Sequence, residues 1–143
     1  MKRIQGAYLR LTIFVFFILS CKGQDQYIWK PLEVKVSAFN SVASQTDGRP
    51  NLAAWGDTLK PGMKCIAVSR DLISLGLGHN TKIRIEGLPD IYLVKDKMNA
   101  RYRNRIDIYM GTDVKKAKQW GQKRLKIEYA MAREKPSGKP KSN

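Results

Sequence analysis

Histidine is almost missing from this chain, cysteine is scarce, and no apolar run is long enough to span a bilayer. His79 is the one histidine in 143 residues, and it stands in the turn-forming stretch Gly78-His79-Asn80. With no second histidine and no free cysteine pair, the residues offer neither a zinc site nor a Ser-His-Asp triad. A calcium site built from carboxylates alone has no loop motif behind it. The expected chemistry therefore uses no metal and no cofactor. The two cysteines are Cys21 and Cys65. Cys65 lies in the apolar run Cys65-Ile66-Ala67-Val68 and reads as a small buried core residue. Acids are also few, 12 against 27 basic residues, so the position of each carboxylate is informative.

The longest apolar run, Leu11 to Leu19, is well short of the ~20 residues a membrane-crossing helix needs. Lys2, Arg3 and Arg10 precede it and Ser20-Cys21 follows, the pattern of an export signal. Residues 1–20 are read as a lipoprotein signal peptide and Ser20-Cys21 as a lipobox, with Cys21 the site of lipidation. Acylation there tethers the mature chain to a membrane by lipid instead of by a helix. The alternative is an ordinary secretory peptide, or a short anchor, with Cys21 incidental. Lys22 in place of Asp after the cysteine argues against inner-membrane retention, by analogy with enteric bacteria, and points to the outer membrane facing the periplasm. An acylated Cys21 leaves Cys65 without a disulfide partner.

Residues 21–31 read as a polar tether, with Tyr27-Ile28-Trp29 as a docking segment. Leu32 to Phe39 alternates apolar and polar residues with period two, the signature of a half-buried strand. Asn40 to Asp57 is rich in Ser, Asn, Asp, Gly and Pro and reads as a long loop. Further strands are expected at Lys64–Val68, Lys82–Glu86, Tyr92–Asp96, Arg105–Met110 and Lys123–Tyr129. Between the last two, Thr112 is expected to cap a short helix that carries Val114, Ala117 and Trp120 on one face and stops at Gly121. Six strands and one helix in about a hundred residues suit a small barrel. The barrel domain is placed at residues 32–130 and a disordered basic tail at 131–143.

Two acids stand inside alternating runs: Asp96 closes Ile91-Tyr92-Leu93-Val94-Lys95-Asp96, and Asp107 lies in Arg105-Ile106-Asp107-Ile108-Tyr109-Met110-Gly111. A strand fixes the position of such a carboxylate. A third, Asp71, follows Cys65-Ile66-Ala67-Val68-Ser69-Arg70 and precedes Leu75-Gly76. Together with Gln45-Thr46-Asp47-Gly48 and Trp55-Gly56, these segments in this order resemble the three-aspartate (3D) domain. The resemblance runs from Val36 to Tyr129. The family's barrel is a double-psi β-barrel, shared with the catalytic domain of membrane-bound lytic transglycosylase A. Where the family carries a glycine-rich stretch after its second Asp, this chain has Lys97 to Asn104, with the eleven-residue step from Asp96 to Asp107 kept.

The resemblance implies peptidoglycan glycan strands as the partner and lytic transglycosylase activity, with Asp107 as the acid that also acts as base and Asp96 in support. A carboxylic acid that protonates a glycosidic oxygen must hold its proton at working pH, and a second carboxylate nearby favours that. The alternative for both acids is structural: they accept backbone amides at the crossovers or pair with Arg101, Arg103 or Arg105. Asp71, Thr46, Trp55 and Tyr109 are candidate substrate contacts. Asp71 is weighed against an ordinary turn role, and the aromatic rings, Tyr102 included, against a place in the core. The chain carries +15; subtracting 3 for Lys2, Arg3 and Arg10 and 3 for the tail from Ala130 leaves +9 on the rest. Such a field attracts polyanions. Export makes nucleic acid the least expected of them and leaves lipid headgroups or the carboxylates of peptidoglycan stem peptides. A monomer is expected. A non-catalytic peptidoglycan-binding envelope module is the competing function, favoured by the replaced glycine loop.

Overall fold

The computed structural model describes residues 27–41 and 51–133. Its six strands are β1 (Tyr27–Phe39), β2 (Cys65–Val68), β3 (Lys82–Ile85), β4 (Ile91–Lys97), β5 (Arg105–Tyr109) and β6 (Lys123–Ala132). They close into a barrel in the order β1-β5-β2-β4-β3-β6. Helix α1 (Arg70–Ser74) follows β2, and α2 (Val114–Trp120) follows β5. The fold is mainly β, a closed six-stranded barrel as the alternation predicts. Among the described residues no helix is long and apolar enough to cross a membrane.

Period-two patterning explains the closure. Val34 and Val36 of β1, Ile66 and Val68 of β2, Ile83 and Ile85 of β3, Tyr92 and Val94 of β4, Ile106 and Ile108 of β5 and Ile127 and Tyr129 of β6 form one buried cluster. Six strands leave an interior that side chains alone can fill, and burying each of these groups is worth about 1.5–3 kcal/mol. A smaller cluster of Ala53, Leu59, Cys65 and Tyr109 lies outside the barrel wall. There the segment 51–63 covers the outer side of β2.

The pairing has a hidden two-fold. β1 pairs β5 and β2 pairs β4 in parallel, while the remaining neighbours are antiparallel. Exchanging β1 with β4, β2 with β5 and β3 with β6 returns the same set of pairs with the same senses. The two helices obey it too, since each follows one of the exchanged strands β2 and β5.

Several expectations are corrected. β1 begins at Tyr27, so the last five residues of the expected tether are strand paired with the end of β6. That strand in turn runs to Ala132. A second helix, α1, occupies the segment expected as the turn after β2. The cap of α2 is Asp113, whose side chain accepts from the Lys116 amide at 2.8 Å, instead of Thr112. Residues 1–26, which hold the expected signal peptide and Cys21, lie outside the described residues, as do Thr46, Asp47 and the tail beyond Arg133.

Candidate functional site

Register, not proximity in sequence, assembles the acids. Ser37 pairs with Asp107, Asp107 with Ala67, and Ala67 with Asp96, so one row crosses β1, β5, β2 and β4. On β5 Ile106 and Ile108 point inward, which turns Asp107 to the outer side. On β4 strict alternation would put Asp96 inside with Tyr92 and Val94. A bulge prevents this: the register shifts between Ile66 and Ala67, skipping Lys95, and brings Asp96 opposite Ala67. The two aspartates therefore flank Ala67 from either side, with backbones two strand spacings, about 10 Å, apart. The small methyl of Ala67, itself buried, lies between them.

They make different bonds. Asp107 is hydrogen-bonded to the Ser37 hydroxyl, and the Arg105 guanidinium lies 3.6 Å from it. Arg105 is itself held, donating to Ser37 Oγ at 2.9 and 2.7 Å. The Gln122 amide, with its oxygen turned to Arg105, accepts from both Nη atoms at 3.1 Å, and Arg105 packs on the Tyr102 ring. Asp96 instead binds backbone: its Oδ1 accepts from the amides of Ala54 at 2.7 Å and Lys97 at 2.8 Å. The two carboxylates do not share a hydrogen bond. Of the roles weighed for Asp96, the backbone acceptor is the one its contacts fill; Asp107 pairs with Arg105.

No family model matches this chain, and no curated protein matches it. Asp71 sits in the first turn of α1, where its Oδ2 accepts from the Asn104 amide at 2.9 Å. Burial raises its carboxyl, but the Asn104 amide and the Ser69 hydroxyl outweigh that and hold it below the ordinary aspartate value. It fastens the loop Lys97 to Asn104, whose backbone turns at Asn104 with φ 47°. Tyr109 is 4 % exposed, its hydroxyl bonds Ser41 Oγ at 2.7 Å, and its ring packs on Phe39.

Trp55 is half-buried on a small hairpin closed by the Leu52–Thr58 bridge. Its ring stacks on His79 at 5.3 Å and carries Lys97 at 4.9 Å. Sequence reasoning passed over the group beneath it. Asp57 lies 2.5 Å from His79 Nε2 and 2.8 Å from Lys95 Nζ. The Lys95 ammonium, with help from His79, holds the Asp57 carboxyl below its usual value despite some burial. Lys95 is the bulge residue, so one irregularity supplies both the Asp57 partner and the reversal of Asp96. The site is a row of Asp107, Ala67 and Asp96, walled by Arg105 and Tyr102 on one side and by the Trp55 hairpin on the other.

Proposed function

We propose that this protein acts on peptidoglycan from the cell envelope, as a lytic transglycosylase that uses Asp107. The supporting observation is the placement of Asp107. It stands on the outer face of β5, oriented by Ser37 and Arg105, with the buried Ala67 between it and Asp96 at the foot of the Trp55 hairpin. The reaction requires one acid only. Asp107 gives its proton to the oxygen leaving C1 of the muramoyl residue. The C1–O bond breaks, the 6-hydroxyl attacks C1 and passes its proton to Asp107, and a 1,6-anhydro sugar forms without water. Asp96 needs no proton in this scheme and supports the hairpin that walls the site. The apolar run before Ser20-Cys21 supports a lipid anchor at Cys21, which would hold the barrel at the membrane facing the wall.

One observation favours a second reading, the peptidoglycan-binding module. The Asp107 carboxylate is already occupied by Ser37 and Arg105, and the glycines expected beside a glycan are replaced by Lys97 to Asn104. Digestion of sacculi, with products read by mass spectrometry, decides between them. Release of 1,6-anhydro muropeptides by wild type and a ~10²–10⁴-fold loss in Asp107→Asn support catalysis. Equal release by both removes Asp107 from the role. Cosedimentation with sacculi without release selects the binding module.

A further inference from the structure

A cleft of the barrel lies away from the aspartate row. It opens at the end where β2 and β4 begin and β5 finishes, with a volume of about 500 Å³. That is the size of a site for a small ligand and not of a packing defect.

Its lining is rich in donors. Lys64, Lys116 and Lys123 face it against a single acid, Asp90. Lys64 is engaged with Asp90 at 2.7 Å. Among the described residues Lys116 and Lys123 form no ion pair. Lys123 instead lies over the Trp120 ring at 4.0 Å. Trp120 adds a second irregularity, since its indole Nε1–H is shut off from water and has no acceptor. An unmet buried donor costs about 1–3 kcal/mol, so a ligand oxygen in the cleft toward which the indole turns recovers that amount. Leu88 and Met110 supply apolar wall between these groups.

Two unpaired ammoniums, an unmet indole donor and an apolar wall suit a ligand with carboxylates on a short, weakly polar body. A carboxylate accepts from an indole and an ammonium at once, and aliphatic side chains between carboxylates fill the wall. We propose that this cleft binds the carboxylates of a short peptide through Lys116, Lys123 and the Trp120 indole. Resting on the peptidoglycan reading above, the peptide is the stem attached to the glycan at the aspartate row. Asp107 and Tyr109 are two residues apart on β5, so the row and the cleft are neighbours along one strand.

The test titrates the purified protein with the stem tripeptide L-alanyl-γ-D-glutamyl-diaminopimelate and follows the Trp120 indole N–H resonance, assigned by its loss in Trp120→Phe. The expected result is a saturable shift, weakened about tenfold in Lys116→Gln and in Lys123→Gln and restored in Lys123→Arg, as expected for loss of one charge-assisted hydrogen bond. The peptide with its carboxylates amidated should leave the resonance in place. No shift with the acid peptide, or an equal shift with the amidated one, overturns the proposal. An equal response to inorganic phosphate overturns it as well, making the cleft a generic anion site. Sacculi assays run in parallel separate the two claims. Silence toward peptide with sacculi still bound or cleaved removes the peptide site alone. Peptide binding with sacculi neither bound nor cleaved removes the glycan reading and leaves the peptide site standing.

Discussion

At the residue scale, Asp96 and Cys65 show how contacts discriminate between roles that look alike in sequence. Both amides that reach Asp96 converge on the same oxygen, Oδ1. An asparagine keeps that oxygen, so Asp96→Asn should melt near wild type. Asp96→Ala removes both bonds and leaves the Ala54 amide unmet, at a cost of about 1–3 kcal/mol. Thermal melts of the two variants check this, and equal losses would mean that the negative charge, not the acceptor, holds the hairpin. Cys65 is 1 % exposed, and burial, with smaller opposed effects of Lys95 and Asp96, pushes its thiol up to about 11. The thiolate is the reactive form. Native protein at pH 8 should therefore resist a disulfide reagent that labels the unfolded chain fully; rapid native labelling would show that the hairpin over β2 opens readily.

At the scale of elements, what was legible in the sequence followed from repetition. Strands such as Leu32 to Phe39 and Arg105 to Met110 announce themselves because every second side chain enters the core. α1 went unread because five residues cannot display a helical period. The bulge at Lys95 was equally invisible, as its cause is a shift against β2, a strand distant in sequence. Asp57, His79 and Lys95 come together only through that shift and the folded hairpin, so His79 read as a turn residue. Asp96 and Asp107 were legible as candidates; their separation by Ala67 was not, because register is a property of pairs. The capping difference also has a local reason. Thr112 and Asp113 are both able caps, and Asp113 prevails because its carboxylate meets the Lys116 amide. Asp113→Ala should cost about 1 kcal/mol and Thr112→Ala little, which denaturant titration of the two variants resolves. Gly111, just before this cap, has φ 62° and a Pro61 carbon 3.3 Å from where a Cβ would sit. Alanine there should be destabilising through both strain and contact.

For the whole molecule, the pseudo-two-fold of the barrel means that its two halves are alike in pairing while their chemistry has diverged. The helix pair illustrates this: α1 presents Asp71 to the loop after β4, whereas α2 presents Trp120 to the cleft. No repeat survives in the sequence, because the symmetry constrains only which positions are apolar. Charge then sets how stability follows pH. Asp57 and Asp71 titrate lower in the folded chain than the ordinary 3.8. Their contribution is fully present above that value and is lost as pH falls through it towards the folded values. On the alkaline side Cys65 titrates at about 11 when folded against 9.0 when free. The unfolded chain thus releases this proton first, and stability falls as pH rises between those values, by roughly 3 kcal/mol at most on the scale of 1.36 kcal/mol per pKa unit. Lys64, raised above 10.5 by Asp90, adds to the same limb. Denaturant titrations from pH 3 to 11 should show a plateau with both limbs. Asp57→Asn should flatten the acid limb, and Cys65→Ala should flatten the alkaline one while leaving the acid limb unchanged. An alkaline limb as steep in Cys65→Ala as in wild type would mean that the buried thiol does not govern it, and that the covering hairpin admits water to β2.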